Sequence, residues 1–156
     1  MNSFKRVLAD IEKSGSFEIG AEWTLRYISQ HGNEFAGKKL YFEVTEEVGE
    51  KIRRVDVVAE TSVNGVIVKK TFYEFKSVQG VPPDGFLDQF GKDLLNEEVK
   101  DLSQLKWIFD GKKVTQQQLT DAIKKAIDEL PKEVIDRWNL RNEQNRKKLL
   151  DIFKVE

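Results

Sequence analysis

The sequence contains no cysteine, which removes disulfide frameworks, zinc ribbons and thiol nucleophiles and leaves the cellular compartment open. Histidine occurs once, at His31, so a catalytic histidine pair is impossible, and its place beside Gly32 assigns it to a helix end. Of the three prolines, Pro82-Pro83 sit in a short Gly-flanked loop rather than in a linker, and no internal repeat or low-complexity stretch appears. No run approaches the ~20 apolar residues of a membrane span, and Met1–Ile11 lacks the apolar stretch of a signal peptide. The expectation is a soluble domain with no membrane association. Excess charge is missing too: 26 Lys and Arg meet 27 Asp and Glu, a net charge of -1. That excludes a protein that coats nucleic acid nonspecifically, since such binding scales with the phosphates neutralised.

What is present suits one globular domain over residues 1–156, with a core over about 17–110 and a helical extension over about 115–154. Phe4, Val7, Leu8 and Ile11 predict a short amphipathic helix over 3–13, and Ile19, Trp23 and Tyr27 predict a second over about 17–30. From Lys39 to Val78 the period falls to two, and breaks at Val48-Gly49-Glu50 and Asn64-Gly65 divide the segment into a three-stranded antiparallel meander. A helix over about 85–98 carries Phe86, Phe90, Leu94 and Leu95, and Leu105–Phe109 reads as a fourth strand. Thr115, with Gln118 three residues on, forms a capping-box pattern, and Pro131 opens a last helix bearing Val134, Ile135, Trp138, Leu149 and Phe153. The order predicts an α/β sandwich, a mixed sheet covered by helices. Trp23, Trp107 and Trp138 fall at apolar-periodic positions, which assigns them to core packing rather than base stacking.

Polar residues inside the strands carry the chemistry. Glu74 and Lys76 share one face of an apolar and aromatic strand, and Asp56 stands between Val55 and Val57, where an acid is costly unless it is paired or binds a cation. Two acids and a lysine on adjacent strands are a minimal set for phosphodiester hydrolysis: the acids hold a hard divalent cation, and the lysine orients water and stabilises negative charge. Register decides whether they meet. A two-residue turn at Asn64-Gly65 puts Asp56 opposite Tyr73 and on the face away from Glu74, whereas a bulged turn puts Asp56 opposite Phe72, Arg54 opposite Glu74, and all candidates on one face. An ordinary strand with a cross-strand ion pair is the alternative.

Gly20-Ala21-Glu22-Trp23, Tyr27-Ile28 and Gly32, Arg54-Val55-Asp56-Val57-Val58 and Phe72-Tyr73-Glu74-Phe75-Lys76-Ser77 together resemble the restriction-endonuclease-like PD-(D/E)xK nuclease superfamily, over about residues 17–110. The resemblance implies Glu22, Asp56 and Glu74 as ligands of Mg2+ or Mn2+ and Lys76 as the catalytic lysine. Glu18 is the rival to Glu22, and Gln89 and Lys92 are candidate supporting residues on the following helix. Val55 stands where the family pattern has proline, a loosely held position. Within the superfamily, a compact core followed by helices resembles the C-terminal toxin domains of bacterial contact-dependent inhibition systems. That implies a tRNA or DNA substrate, a cognate immunity protein, and action in the cytoplasm of a target cell after delivery within a larger secreted protein. The weak overall charge suits a focused cleft and favours RNA slightly; a resolvase-like DNA repair or recombination endonuclease and a noncatalytic binding or immunity-type protein with the same fold are the alternatives. Arg137, Arg141, Arg146, Lys147 and Lys148 are candidate phosphate contacts.

Overall fold

The computed structural model describes residues 16–156, so the expected helix over 3–13 lies outside the described residues. It is a mixed α/β structure whose elements run α1 (Ser16–Gln30), α2 (Gly32–Phe35), β1 (Lys39–Val48), β2 (Lys51–Val63), β3 (Val66–Lys76), α3 (Phe86–Leu95), β4 (Leu105–Phe109), α4 (Gln116–Ile127), α5 (Lys132–Arg137), α6 (Glu143–Leu150) and β5 (Phe153–Val155). The five strands lie in sequence order in one sheet. β1, β2 and β3 are antiparallel, whereas β3, β4 and β5 are parallel. No helix of the described residues is long and apolar enough to cross a membrane.

Alternation along the strands divides the core in two. Tyr73, Phe75, Val57, Ala59 and Ile108 turn to one face and are covered by Trp23 and Tyr27 of α1 and Phe35 of α2. Phe72, Val58, Trp107 and Phe109 turn to the other, where Phe90 and Leu94 of α3, Leu119 and Ile123 of α4, Val134 of α5 and Leu149 of α6 cover them. The predicted capping box of α4 is present: the Thr115 side chain accepts from the Gln118 N–H, and the Gln118 side chain accepts from the Thr115 N–H.

The C-terminal region departs from the single helix expected there. Asn139 takes φ 48°, a left-handed conformation that stops α5, and the Asn142 side chain then accepts from the Asn145 N–H to start α6. Phe153 leaves the helix pattern altogether. As part of β5 it packs on Phe86, Phe90 and Trp107, with ring centroids 4.9–5.9 Å away.

Two irregularities set the register. Asn64 (φ 52°) and Gly65 (φ 78°) form the tight two-residue turn, pairing Val63 with Val66. Between Thr61 and Ser62 the pairing then slips by one, so that Thr61 lies opposite Lys69 and Ser62 opposite Ile67, with Val68 the extra residue. Val57 thereby faces Tyr73, and continuation of the same register brings Asp56 level with Glu74. Neither expected register is correct in detail: the turn is the tight one, and the bulge lies in the strands beyond it. The second irregularity is at Glu43, whose φ of 50° interrupts β1. Phe42 and Val57 pack on the α1 side, but the next pair of apolar residues, Val44 and Val55, packs on the α3 side. The outer part of the β1–β2 ribbon has exchanged faces, with Asp56 at the crossover.

Candidate active site

Glu74 lies opposite Trp107 and Lys76 opposite Phe109, so both side chains project toward α3. Lys76 Nζ bonds Glu74 Oε1 at 2.9 Å and donates to Gln89 Oε1 at 3.1 Å, with the Trp107 ring centroid 5.5 Å away. Of the two supporting residues expected on this helix, Gln89 reaches the lysine. Lys92 pairs with Asp88 one turn back at 3.0 Å and does not reach it.

The pairing expected between Arg54 and Glu74 is replaced by its neighbour. Because the ribbon exchanges faces at Glu43 and Asp56, Arg53 is the residue turned inward, and its Nη2 holds Glu74 Oε2 at 2.9 Å. Arg54 is exposed and pairs with Glu43 at 3.0 Å. The Arg53 guanidinium continues to Asp93 on α3, with Nε to Oδ1 at 2.9 Å and Nη2 to Oδ2 at 3.4 Å, and Nη1 donates to the Arg54 carbonyl. Trp107 Nε1 completes the network by donating to Asp93 Oδ2 at 3.0 Å. Arg53, Glu74, Asp93 and Trp107 are all buried. Asp93 stands four residues after Gln89, on the same helix face, and that spacing was the available signal for it.

Asp56 occupies the point where the β2–β3 ladder ends. Its Oδ2 accepts the Phe75 N–H at 2.8 Å, in place of the missing backbone partner. Burial pushes the Asp56 carboxyl up to about 8; the negative charge of Glu74 is the next cause, opposed by the Phe75 N–H, Lys76 and Arg53. Burial likewise pushes Asp93 up to about 6, although the charge of Arg53 and the bonds from Arg53 and Trp107 oppose it.

Glu22 is exposed on α1, the helix that covers the opposite face, and among the described residues nothing joins it to Asp56 or Glu74. The side chain of Glu18 lies outside the described residues. The turn after Glu22 is anchored at the end of β4. Arg26 pairs with buried Asp110 at 3.3 Å, Asp110 also accepts from Ser77 Oγ at 3.0 Å, and Trp23 Nε1 donates to the Ile108 carbonyl at 3.2 Å. Asp110→Ala leaves Ser77 without its acceptor and α1 without this clamp. A loss of about 1–3 kcal/mol is expected, read as a lower urea midpoint at unchanged slope.

Among the described residues no group of three or more His, Cys, Asp or Glu side chains is gathered to hold a metal ion. The pair Asp56 and Glu74 nevertheless fits a hard divalent cation with water completing its shell. Asp56 is disfavoured as an anion by burial and by the charge of Glu74, and the cations already present do not offset this. The C-terminal basic residues are less available than their number suggests. Arg137 donates to the carbonyls of Asn96 and Val99, Arg141 pairs with Asp136, and Arg146 pairs with Asp128. Comparison with protein-family models, curated proteins and solved structures gives no match.

Proposed function

We propose that the chain is a metal-dependent nuclease with a restriction-endonuclease-like core. One observation carries this reading: Asp56 and Glu74 come level on adjacent strands at the point where pairing ends, with Lys76 in contact with Glu74. Asp56 and Glu74 would hold Mg2+ or Mn2+, which when bound polarises a phosphate and acidifies water. Lys76 presents a positive donor beside the acid pair, and Gln89 fixes its direction. The Trp107 and Phe109 side of the sheet excludes solvent behind the lysine, so its charge acts in a poorly screened setting.

The substrate reading is RNA such as tRNA slightly ahead of DNA, on the ground that the net charge is only -1 and Arg137, Arg141 and Arg146 are engaged within the chain. A toxin domain delivered into a target cell, blocked by a cognate immunity protein, is the setting that the sequence resemblance supports. Glu22 enters as a third ligand only if α1 or the substrate brings it to the pair.

A second, noncatalytic reading has its own support, because both Glu74 oxygens are already bonded, to Arg53 and Lys76. Incubation with tRNA, plasmid and branched DNA under Mg2+, Mn2+ or EDTA separates the two. Cleavage that requires metal and falls about 10²–10³-fold in Lys76→Met is expected. Cleavage unaffected by Lys76→Met would remove the site, and binding without cleavage under every condition would favour the noncatalytic reading.

A further inference from the structure

We infer that Arg53 and Asp93 are positioning residues that set how tightly the acid pair takes a divalent cation, Arg53 as the resident competitor for Glu74 and Asp93 as the group that restrains it. The inference rests on the reading of Asp56 and Glu74 as cation ligands. Arg53 Nη2 is shared between Glu74 Oε2 at 2.9 Å and Asp93 Oδ2 at 3.4 Å, while its Nε is committed to Asp93 Oδ1 at 2.9 Å. Any cation drawing on both Glu74 oxygens must displace one guanidinium bond and one ammonium bond. Asp93 lowers the cost of that displacement. Its carboxylate, held by Trp107, keeps two guanidinium nitrogens and offsets their charge, so Glu74 is contacted through a single nitrogen.

A network that merely held β2 to α3 would behave differently. Breaking it from either side would loosen the acid pair, and both substitutions would weaken cation binding. A competitor and its restraint have opposite effects. Arg53→Met removes the competing charge while keeping a long apolar side chain. Asp93→Asn keeps the oxygen that accepts from Arg53 or Trp107 but removes the charge, leaving the full guanidinium field on Glu74.

The test titrates the full chain with Mn2+ alone, following heat and the loss of the free-ion paramagnetic resonance signal, with melting curves to verify folding and Asp56→Asn as the nonbinding control. Arg53→Met is expected to bind about tenfold more tightly than the unsubstituted chain, and Asp93→Asn about tenfold more weakly. If Arg53→Met does not fold, Arg53→Gln, which keeps a donor for Glu74 without the charge, takes its place: unchanged or weaker binding overturns the inference. Mn2+ binding by the unsubstituted chain, with both variants shifted in the same direction, overturns the inference and leaves the nuclease reading standing. Absence of binding by the unsubstituted chain and both variants into the millimolar range overturns both.

Discussion

Asp56→Asn is expected to abolish metal-dependent cleavage and, near neutral pH, to raise the melting temperature. Asparagine retains an oxygen for the Phe75 N–H, so the contact that closes the end of the β2–β3 ladder survives. What disappears is a carboxyl that the fold pushes up to about 8, through burial first and the charge of Glu74 second. An unfolded aspartate ionises near 3.9. Below that value both states carry the proton and the native residue imposes no penalty. As pH rises through the interval the unfolded chain releases its proton while the folded chain retains it, so folding stability falls until about pH 8 and then levels. The variant lacks this loss. Its advantage at pH 7–8 is expected to be about 1–2 kcal/mol, seen as ~3–6 °C in thermal melts, and to vanish near pH 4. A variant less stable than the native chain throughout this range would contradict the reading of Asp56 as an acid disfavoured in its charged form by burial and by Glu74. The same proton opposes metal, so Mn2+ affinity of the native chain should increase from pH 6 to pH 8.

Trp107→Ala is expected to give the largest stability loss. The indole is 1% exposed and lies against Phe86, Phe90 and Phe153, so truncation removes apolar contact from both helix and strand neighbours at once. The bond to Asp93 goes with it. A cost of about 3–5 kcal/mol corresponds to a melting temperature lower by ~10–15 °C. Trp107→Phe separates the terms, because it refills most of the volume and restores no donor. It should cost about 1–3 kcal/mol, the penalty of a buried acceptor that has lost a partner. Equal melting temperatures for Trp107→Phe and the native chain would show that the Asp93 bond contributes nothing.

Much of this arrangement could be read from residue spacing, for identifiable reasons. The meander, β4 and the capped α4 were legible because turn residues, β-forming runs and the Thr115–Gln118 pair are local signals. β5 was hidden because Phe153 continues the apolar spacing of the preceding helix; only the partners it finds on β4 and α3 make it a strand residue. The acid pair was legible as acids out of place, but the route by which they come level was not. A tight turn followed by a slip at Thr61 and Ser62 differs from either simple hairpin, and Val68 carries no composition signal for a bulge. Strict alternation turns Arg54 inward rather than Arg53, and alternation fails where Glu43 adopts a positive φ. Asp93 has only its i, i+4 spacing from Gln89 to mark it, and its partners Arg53 and Trp107 lie on strands remote in sequence. Glu22 is the opposite case, prominent by resemblance and exposed on the helix across the sheet.

The position of Trp107 gives the molecule an optical gauge of its own site. Its indole has the Lys76 ammonium 5.5 Å from the ring centroid and the Arg53 guanidinium carbon 5.8 Å from it, while its N–H points to Asp93. Charge entering or leaving the acid pair therefore alters the electric field across the chromophore directly. Trp23 and Trp138 donate instead to backbone carbonyls, of Ile108 and Leu94, which carry no net charge to be redistributed. The cations over their rings, Arg26 and Arg137, pair with Asp110 and with backbone carbonyls rather than with Glu74, so the difference spectrum between the native chain and Trp107→Phe reports the indole that shares its cations with the acid pair.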